Sequence, residues 1–230
     1  VYKSLARRKK SHIPQYMESY DQYSGAILYS TVLKGNYGDT ELNAFGVHDI
    51  AYIYINGELS HIYDRTKLKG RALADESFSV KIPAFDGECK VDILVYALGR
   101  INYARRIYDR KGLDEIYLGG QAIVDWTVYC MDLDTAPEIK YSNKRSGAPL
   151  FLKATFKAEE KIDTFVDMRG FGNAVVYVNG FNLGRFLKRG PQYTLYLPGC
   201  LLKDENEIVV LELEGTKKKD ITLTDKVIFR

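Results

Sequence analysis

The chain has 230 residues, enough for one large domain or two ordinary ones with proper cores. Its 46% hydrophobic and 27% charged residues exclude a disordered chain, and a net charge of +3 is too small to imply a nucleic-acid or membrane partner. No apolar run approaches the length of a membrane-spanning helix.

Residues 1–19 read as a linker arriving from a missing upstream domain, with Arg7-Arg8-Lys9-Lys10 as a solvated tail. Gly25 to Leu33, Ile50 to Ile55 and Val91 to Leu98 are short runs rich in β-branched and aromatic residues, and predict strands. Tyr103 to Leu113 predicts at most a helical turn. Ile116 to Leu118 closes a first unit, Gly119-Gly120 makes a turn, and Ala122 to Asp134 is strand-like and opens a second unit. Thr135 to Ala148, polar and holding Pro137, Asn143 and Gly147, reads as an exposed loop. Leu150 to Phe156, Thr164 to Met168, Ala174 to Val178, Tyr193 to Leu197 and Glu207 to Leu213 continue the strands, and Lys217-Lys218-Lys219 reads as a solvated loop.

The two units repeat one pattern. AYIYINGELSHIYDR from Ala51 aligns with AVVYVNGFNLGRFLKR from Ala174, each centred on an Asn-Gly pair, Asn56-Gly57 and Asn179-Gly180. Asn-Gly between apolar runs is a strong hairpin signal, because both central residues of a type I′ turn need φ > 0. Downstream, a strand ending in Pro83 or Pro198 is followed by a polar turn and a long apolar strand. The fold expected is all-β: two tandem antiparallel β-sandwich or jelly-roll domains, the first at 20–118 and the second at 119–230.

The chemistry-bearing residues form no catalytic constellation. Acidic pairs such as Asp114-Glu115 and Asp204-Glu205 sit in turns and read as solvated charges, without a signature that would pair two carboxyl groups for glycoside hydrolysis. His12, His48 and His61 form no metal motif; His48, before Asp49 at a strand entrance, suits a structural hydrogen bond. Three cysteines, Cys89, Cys130 and Cys200, lack metal-ligand spacing and cannot complete a disulfide framework. Gly170-Phe171-Gly172 precedes a strand rather than a helix, so it fails as a phosphate loop. No metal or cofactor is expected. Carbohydrate recognition remains, since sugars need aromatic faces and fixed polar groups. Arg169, Phe171, Asn173, Phe181, Asn182, Arg185, Phe186 and Gln192 are the candidates for contact with sugar or with a neighbouring domain, against the competing reading that the aromatics pack the core.

The run DTFVDMRGFGNAVVYVNGFNLGRFLKRGPQYTLYLPGCLLKDENEIVVLELEG, from Asp163 to Gly215, resembles the C-terminal region of glycoside hydrolase family 35 β-galactosidases. MESYDQYSGAILYSTVL from Met17, VHDIAYIYINGE from Val47, LGRINYARRIYDRKGL from Leu98 and DWTVYCMDLD from Asp125 resemble the same family in the same order. The resemblance implies galactose-binding-like sandwiches that support a (β/α)₈ barrel lying upstream in the polypeptide. That barrel carries the two catalytic glutamates of a retaining hydrolysis of terminal β-galactosides. A barrel needs about 200 residues or more of alternating strands and helices, so no catalytic residue transfers to this chain, and it is expected to be inactive alone. The alternative is an independent carbohydrate-binding module for galactosides. A secreted or periplasmic location is implied by the resemblance only. Where family members often carry tryptophan, this chain has Phe171, Tyr177 and Leu187, and Trp126 is its only tryptophan, which weakens a sugar platform while leaving packing intact.

Overall fold

Seventeen short strands and a few 3₁₀ turns make up the computed structural model, which describes residues 6–67, 76–103, 107–142 and 147–230. All strand pairings are antiparallel. The chain divides into two compact units, Val1–Asp132 and Leu133–Arg230.

In the first unit, β1 (Arg7–Ser11), β2 (Ala26–Tyr37), β4 (Ile50–Ile55), β5 (Glu58–Asp64), β7 (Phe85–Tyr96) and β10 (Trp126–Met131) form a six-stranded sheet in the order β1-β10-β2-β7-β4-β5. The second sheet contains β3 (Thr40–Phe45), β6 (Phe78–Ile82), β8 (Glu115–Leu118) and β9 (Gln121–Ala122), in the order β6-β3-β8-β9. Alternate residues of both sheets meet in one apolar core that includes Ile27, Tyr29, Leu42, Ile53, Val80, Ile93, Leu118 and Trp126. Trp126 is fully buried and donates its indole N–H to the Ile123 carbonyl at 2.9 Å.

The second unit repeats this plan with fewer strands. β11 (Leu150–Lys157), β13 (Ala174–Val178), β14 (Phe181–Phe186) and β16 (Glu205–Glu212) form a sheet in the order β11-β16-β13-β14. β12 (Thr164–Asp167), β15 (Thr194–Leu197) and β17 (Thr222–Thr224) form the other, in the order β15-β12-β17. The order β2-β7-β4-β5 therefore matches β11-β16-β13-β14, and β6-β3-β8 matches β15-β12-β17. The repeat read from the sequence is thus a repeat of topology.

The Asn-Gly hairpins are its clearest joint. Asn56 and Gly57 sit at φ 51° and 87°, Asn179 and Gly180 at 51° and 84°. Each hairpin carries a register shift, between Ile53 and Tyr54 in one and Val176 and Tyr177 in the other. Each Asn also reaches the neighbouring long strand: the Asn56 N–H donates to the Lys90 carbonyl at 2.8 Å, and its side-chain oxygen accepts the Lys90 N–H at 2.8 Å. Asn179 does the same with Glu207, at 2.9 and 3.0 Å. Replacing Asn56 by Ala removes that acceptor and leaves at positive φ a residue that tolerates it less well than Asn, at a cost of about 1–2 kcal/mol. The check is the urea midpoint of the first unit, followed by fluorescence of Trp126, the chain's only tryptophan.

The domain boundary needs correction. The strand expected to open the second unit is β10, which lies between β1 and β2 in the first unit's sheet, with Trp126 and Val128 in that unit's core. Gly119-Gly120 is the turn between β8 and β9, not a border. Residues 7–19, read as part of a linker, supply β1 and bury Met17 in the same core. Alternation predicts that a strand exists; its partner is decided by hydrogen bonds more than 90 residues away, which the local pattern does not contain. No helical turn occurs in 107–113, and the rest of that expectation, at 104–106, lies outside the described residues, as do Asn143 and Ser146 of the loop at 135–148.

Candidate functional site

Residues 98–113 connect β7 to β8, and the described part of this segment has no regular backbone hydrogen-bond ladder. Buried charged side chains hold it instead. Asp49 accepts the Leu98 N–H at 2.7 Å, Asp109 accepts the Ile101 N–H at 3.2 Å, and the Glu18 carboxylate accepts the Lys111 N–H at 3.1 and 3.2 Å. Arg100 donates to the Asp109 carbonyl at 2.8 Å and pairs with Glu18 at 2.5 Å.

The centre of this arrangement is a cluster of ions. The Lys111 ammonium, 1% exposed, lies 2.8 Å from Asp49 and 2.7 Å from Asp109. Arg65 reaches Asp49 at 2.9 Å, Asp109 at 2.7 Å and Glu76 at 2.6 Å. Burial works against ionisation of Asp109, but hydrogen bonds from Lys111 and Arg65 prevail and hold its carboxyl below the ordinary range. Among the described residues no group of three or more His, Cys, Asp or Glu is placed to hold a metal ion. Every carboxylate at the cluster's centre is already paired with a cation, which makes the cluster a clamp for the backbone.

The clamp sets which side chains of the segment meet solvent. Asp109 and Lys111 point inward, while Ile107 and Tyr108 stay 64% and 81% exposed and Tyr103 89% exposed. The Arg110 guanidinium lies 4.1 Å above the Tyr16 ring and 5.5 Å from that of Tyr108. Burial, aided by Asp114, pushes the Tyr16 phenol up to about 12. Tyr108, next to the held Asp109, presents its ring to solvent from a stretch of backbone with little conformational freedom left to lose, which suits contact with another surface.

The second unit contains all the candidates chosen from the sequence, and the structure sorts them. Phe171 and Phe186 are 5% and 2% exposed and belong to the apolar core, so they act in packing. Asn173 is 5% exposed; it donates to Glu214 at 2.8 Å and accepts the Lys188 N–H at 3.3 Å, which ties two loops together. Asn182 donates to the Leu133 carbonyl and accepts the Gly184 N–H. Gln192 donates to the Thr194 carbonyl at 2.5 Å. Arg169 is exposed and grips Asp167 through its Nε, at 3.0 Å from both carboxylate oxygens. Phe181, 54% exposed at the hairpin tip, and Arg185 also face solvent.

The turn that carries Phe171 is held by a residue the sequence did not single out. Glu212, fully buried at the end of β16, accepts the N–H groups of Gly172 at 2.9 Å, Glu214 at 3.0 Å and Gly215 at 3.1 Å. Gly172 is required by this approach, since a Cβ there would lie 2.4 Å from the Glu212 carboxylate. Desolvation outweighs those three donors and raises the Glu212 carboxyl above its ordinary value. Beside this turn is a cavity of about 270 Å³, lined by Phe171, Leu152, Ile208, Lys218 and Ile221 among others.

The first-unit clamp was not legible in advance. The only local hint was the alternation Tyr108-Asp109-Arg110-Lys111, and its partners Arg65 and Asp49 lie 44 and 62 residues away.

Two family descriptions match the chain: "Beta-galactosidase, first all-beta domain" over residues 14–132 and "Beta-galactosidase, galactose-binding domain" over residues 149–207. A β-galactosidase of Bos taurus is 32% identical over 257 residues, covering 96% of this chain and 38% of that protein. One of Xanthomonas manihotis is 36% identical over 188 residues, covering 80% of this chain and 30% of that protein. The chain thus spans well under half the length of the relatives it matches. A solved β-galacturonidase from Eisenbergiella tayi superposes with a TM-score of 0.33 at 11% identity, over 92% of this chain and 38% of that one.

Proposed function

This chain belongs to the β-galactosidase family, matched over the first all-β domain and the galactose-binding domain, and from that premise we propose that it is the supporting region of an enzyme hydrolysing terminal β-galactosides. In this reading its partner is a catalytic barrel upstream in the same polypeptide, and segment 98–113 of the first unit is a docking element. The observation that carries the reading is the set of exposed side chains Tyr103, Ile107 and Tyr108 close to residues held by buried charges, Ile101 on one side and Asp109 and Lys111 on the other. Exposed apolar groups on a pinned loop have no folding role that would select them, whereas a docking surface needs both features.

The test compares the chain alone with the barrel-bearing polypeptide on a chromogenic β-galactoside. The chain alone turns over nothing above buffer; robust turnover by it would sink the proposal. In the longer polypeptide, Tyr103→Ser with Tyr108→Ser lowers the thermal stability of the barrel while the chain alone keeps its own stability within about 0.5 kcal/mol, as expected of surface positions. An unchanged barrel would remove this segment from the interface.

A second reading, an independent module for galactosides, is favoured by the galactose-binding match and by the cavity beside Phe171 and Lys218. Calorimetric titration with galactose and lactose decides it. Saturable heat at millimolar sugar that vanishes in Lys218→Glu supports it, and no heat eliminates it.

A further inference from the structure

On β11, Leu152 and Phe156 pack against the apolar core of the second unit, and alternation turns Ala154 the same way. Ala154 is nevertheless exposed, although Ile208, opposite it on β16, is only 2% exposed. β11 is the edge strand of its sheet. A methyl group between two large inward-facing side chains therefore leaves a notch in the edge of the sandwich. The cavity of about 270 Å³ lies at this notch, and its apolar lining is Leu152, Ala154, Phe171, Ile208 and Ile221.

The wall that faces β11 across the notch is fixed. The Thr216 hydroxyl donates to the Gly170 carbonyl at 2.7 Å and accepts the Lys218 N–H at 3.0 Å. The Lys218 stem lies along Gly170, where an added Cβ would meet its carbons at 3.0, 3.1 and 3.5 Å. A wall already held in place has little freedom to lose when a ligand enters. Apolar cavities of about 150 Å³ take a guest the size of benzene, so this one has room for an apolar body of that size and more.

Lysines dominate the charge at the rim. Lys218 and Lys219 stand there with Asp220, while Lys153 pairs with Glu207 and lies 5.4 Å from the Tyr141 ring. The field of Lys218 also reaches Asp167, which Arg169 already grips. An ammonium has three N–H donors, so partners of this kind leave it able to meet an anion as well.

We infer that this cleft binds a small amphipathic anion, with an alkyl or aryl body seated between Ala154, Phe171 and Ile208 and an anionic head at Lys218 and Lys219. Burial of the body supplies most of the affinity, and the lysines select the sign of the head. The inference goes beyond the galactoside reading and holds whether or not a sugar also enters the cavity.

Hexyl sulfate is the probe, titrated into the 230-residue chain while methyl resonances are followed. Saturable shifts at Leu152, Ala154, Ile208 and Ile221 are expected at millimolar concentration. 1-Hexanol, which lacks the charge, moves the same methyls with an affinity about threefold or more weaker. Inorganic sulfate, which lacks the body, does not saturate them. Ala154→Leu fills the notch and weakens hexyl sulfate by about tenfold or more. No saturation by hexyl sulfate, equal binding of hexanol, saturation by inorganic sulfate, or undiminished binding in Ala154→Leu would each overturn the inference. Should Ala154→Leu fail to fold, Lys218→Gln with Lys219→Gln decides: the preference for hexyl sulfate over hexanol disappears if the inference holds and persists if it does not.

Discussion

Lys111→Met lowers the stability of the first unit by about 3–5 kcal/mol, the largest single effect expected in this chain. The two side chains have similar length and shape, so the loss is electrostatic rather than steric. Removing the ammonium leaves Asp49 and Asp109 buried, with Arg65 the one arginine or lysine still bonded to both among the described residues, and Arg65 must also serve Glu76. Urea unfolding followed through Trp126 isolates the first unit, because that residue lies in its core and the chain has no other tryptophan. Adding Asp109→Asn to Lys111→Met recovers part of the loss, since it removes one of the stranded charges; a double variant no better than the single one would show that the cost is packing. The native cluster also has an acid limit. The depressed Asp109 carboxyl contributes stability above its unfolded value of about 3.9, and that contribution is lost as pH falls through the lower folded value.

Glu212→Ala costs about 3 kcal/mol or more in the second unit, because it strands the N–H groups of Gly172, Glu214 and Gly215 without an acceptor. Exchange at those three amides accelerates together, ahead of global unfolding. Glu212→Gln costs less, since its one carbonyl oxygen still serves part of the set. The pH dependence runs opposite to that of Asp109. The folded-state value of Glu212 is raised, so its contribution is full below the unfolded value of about 4.3 and declines as pH rises through the folded value. The stability difference between the native chain and Glu212→Gln therefore narrows as pH rises. If it widened, burial would not be the dominant influence on this carboxyl.

The two clamps are of different kinds. In the first unit, four anions and their cations fix a long irregular connection; in the second, a single carboxylate fixes a tight turn through backbone donors. Both hold segments outside the strand ladders, where backbone groups lack regular partners and side chains must supply them. The first clamp leaves aromatic side chains in solvent, whereas the second draws Phe171 into the core.

Much of the architecture could be read from the chain itself. Alternation placed the long strands β2, β4, β7, β11, β13 and β16, because a side-chain period of two is a local property of extended backbone. The Asn-Gly pairs marked both hairpins, because positive φ at two successive residues restricts the choice of amino acid wherever it occurs. The repeat followed from order and spacing, which are present in one dimension, and the family from the resemblance of long runs such as Asp163 to Gly215. Two related antiparallel units resembling the β-galactosidase family were therefore legible in one dimension. Folding in three dimensions was needed to show that β10 completes the first unit, that Phe171 and Phe186 face inward, and that His48, Arg65, Glu76, Asp109 and Lys111 meet. Those outcomes depend on which distant strands pair and which charges share a low-dielectric interior, and neither leaves a periodic trace along the chain.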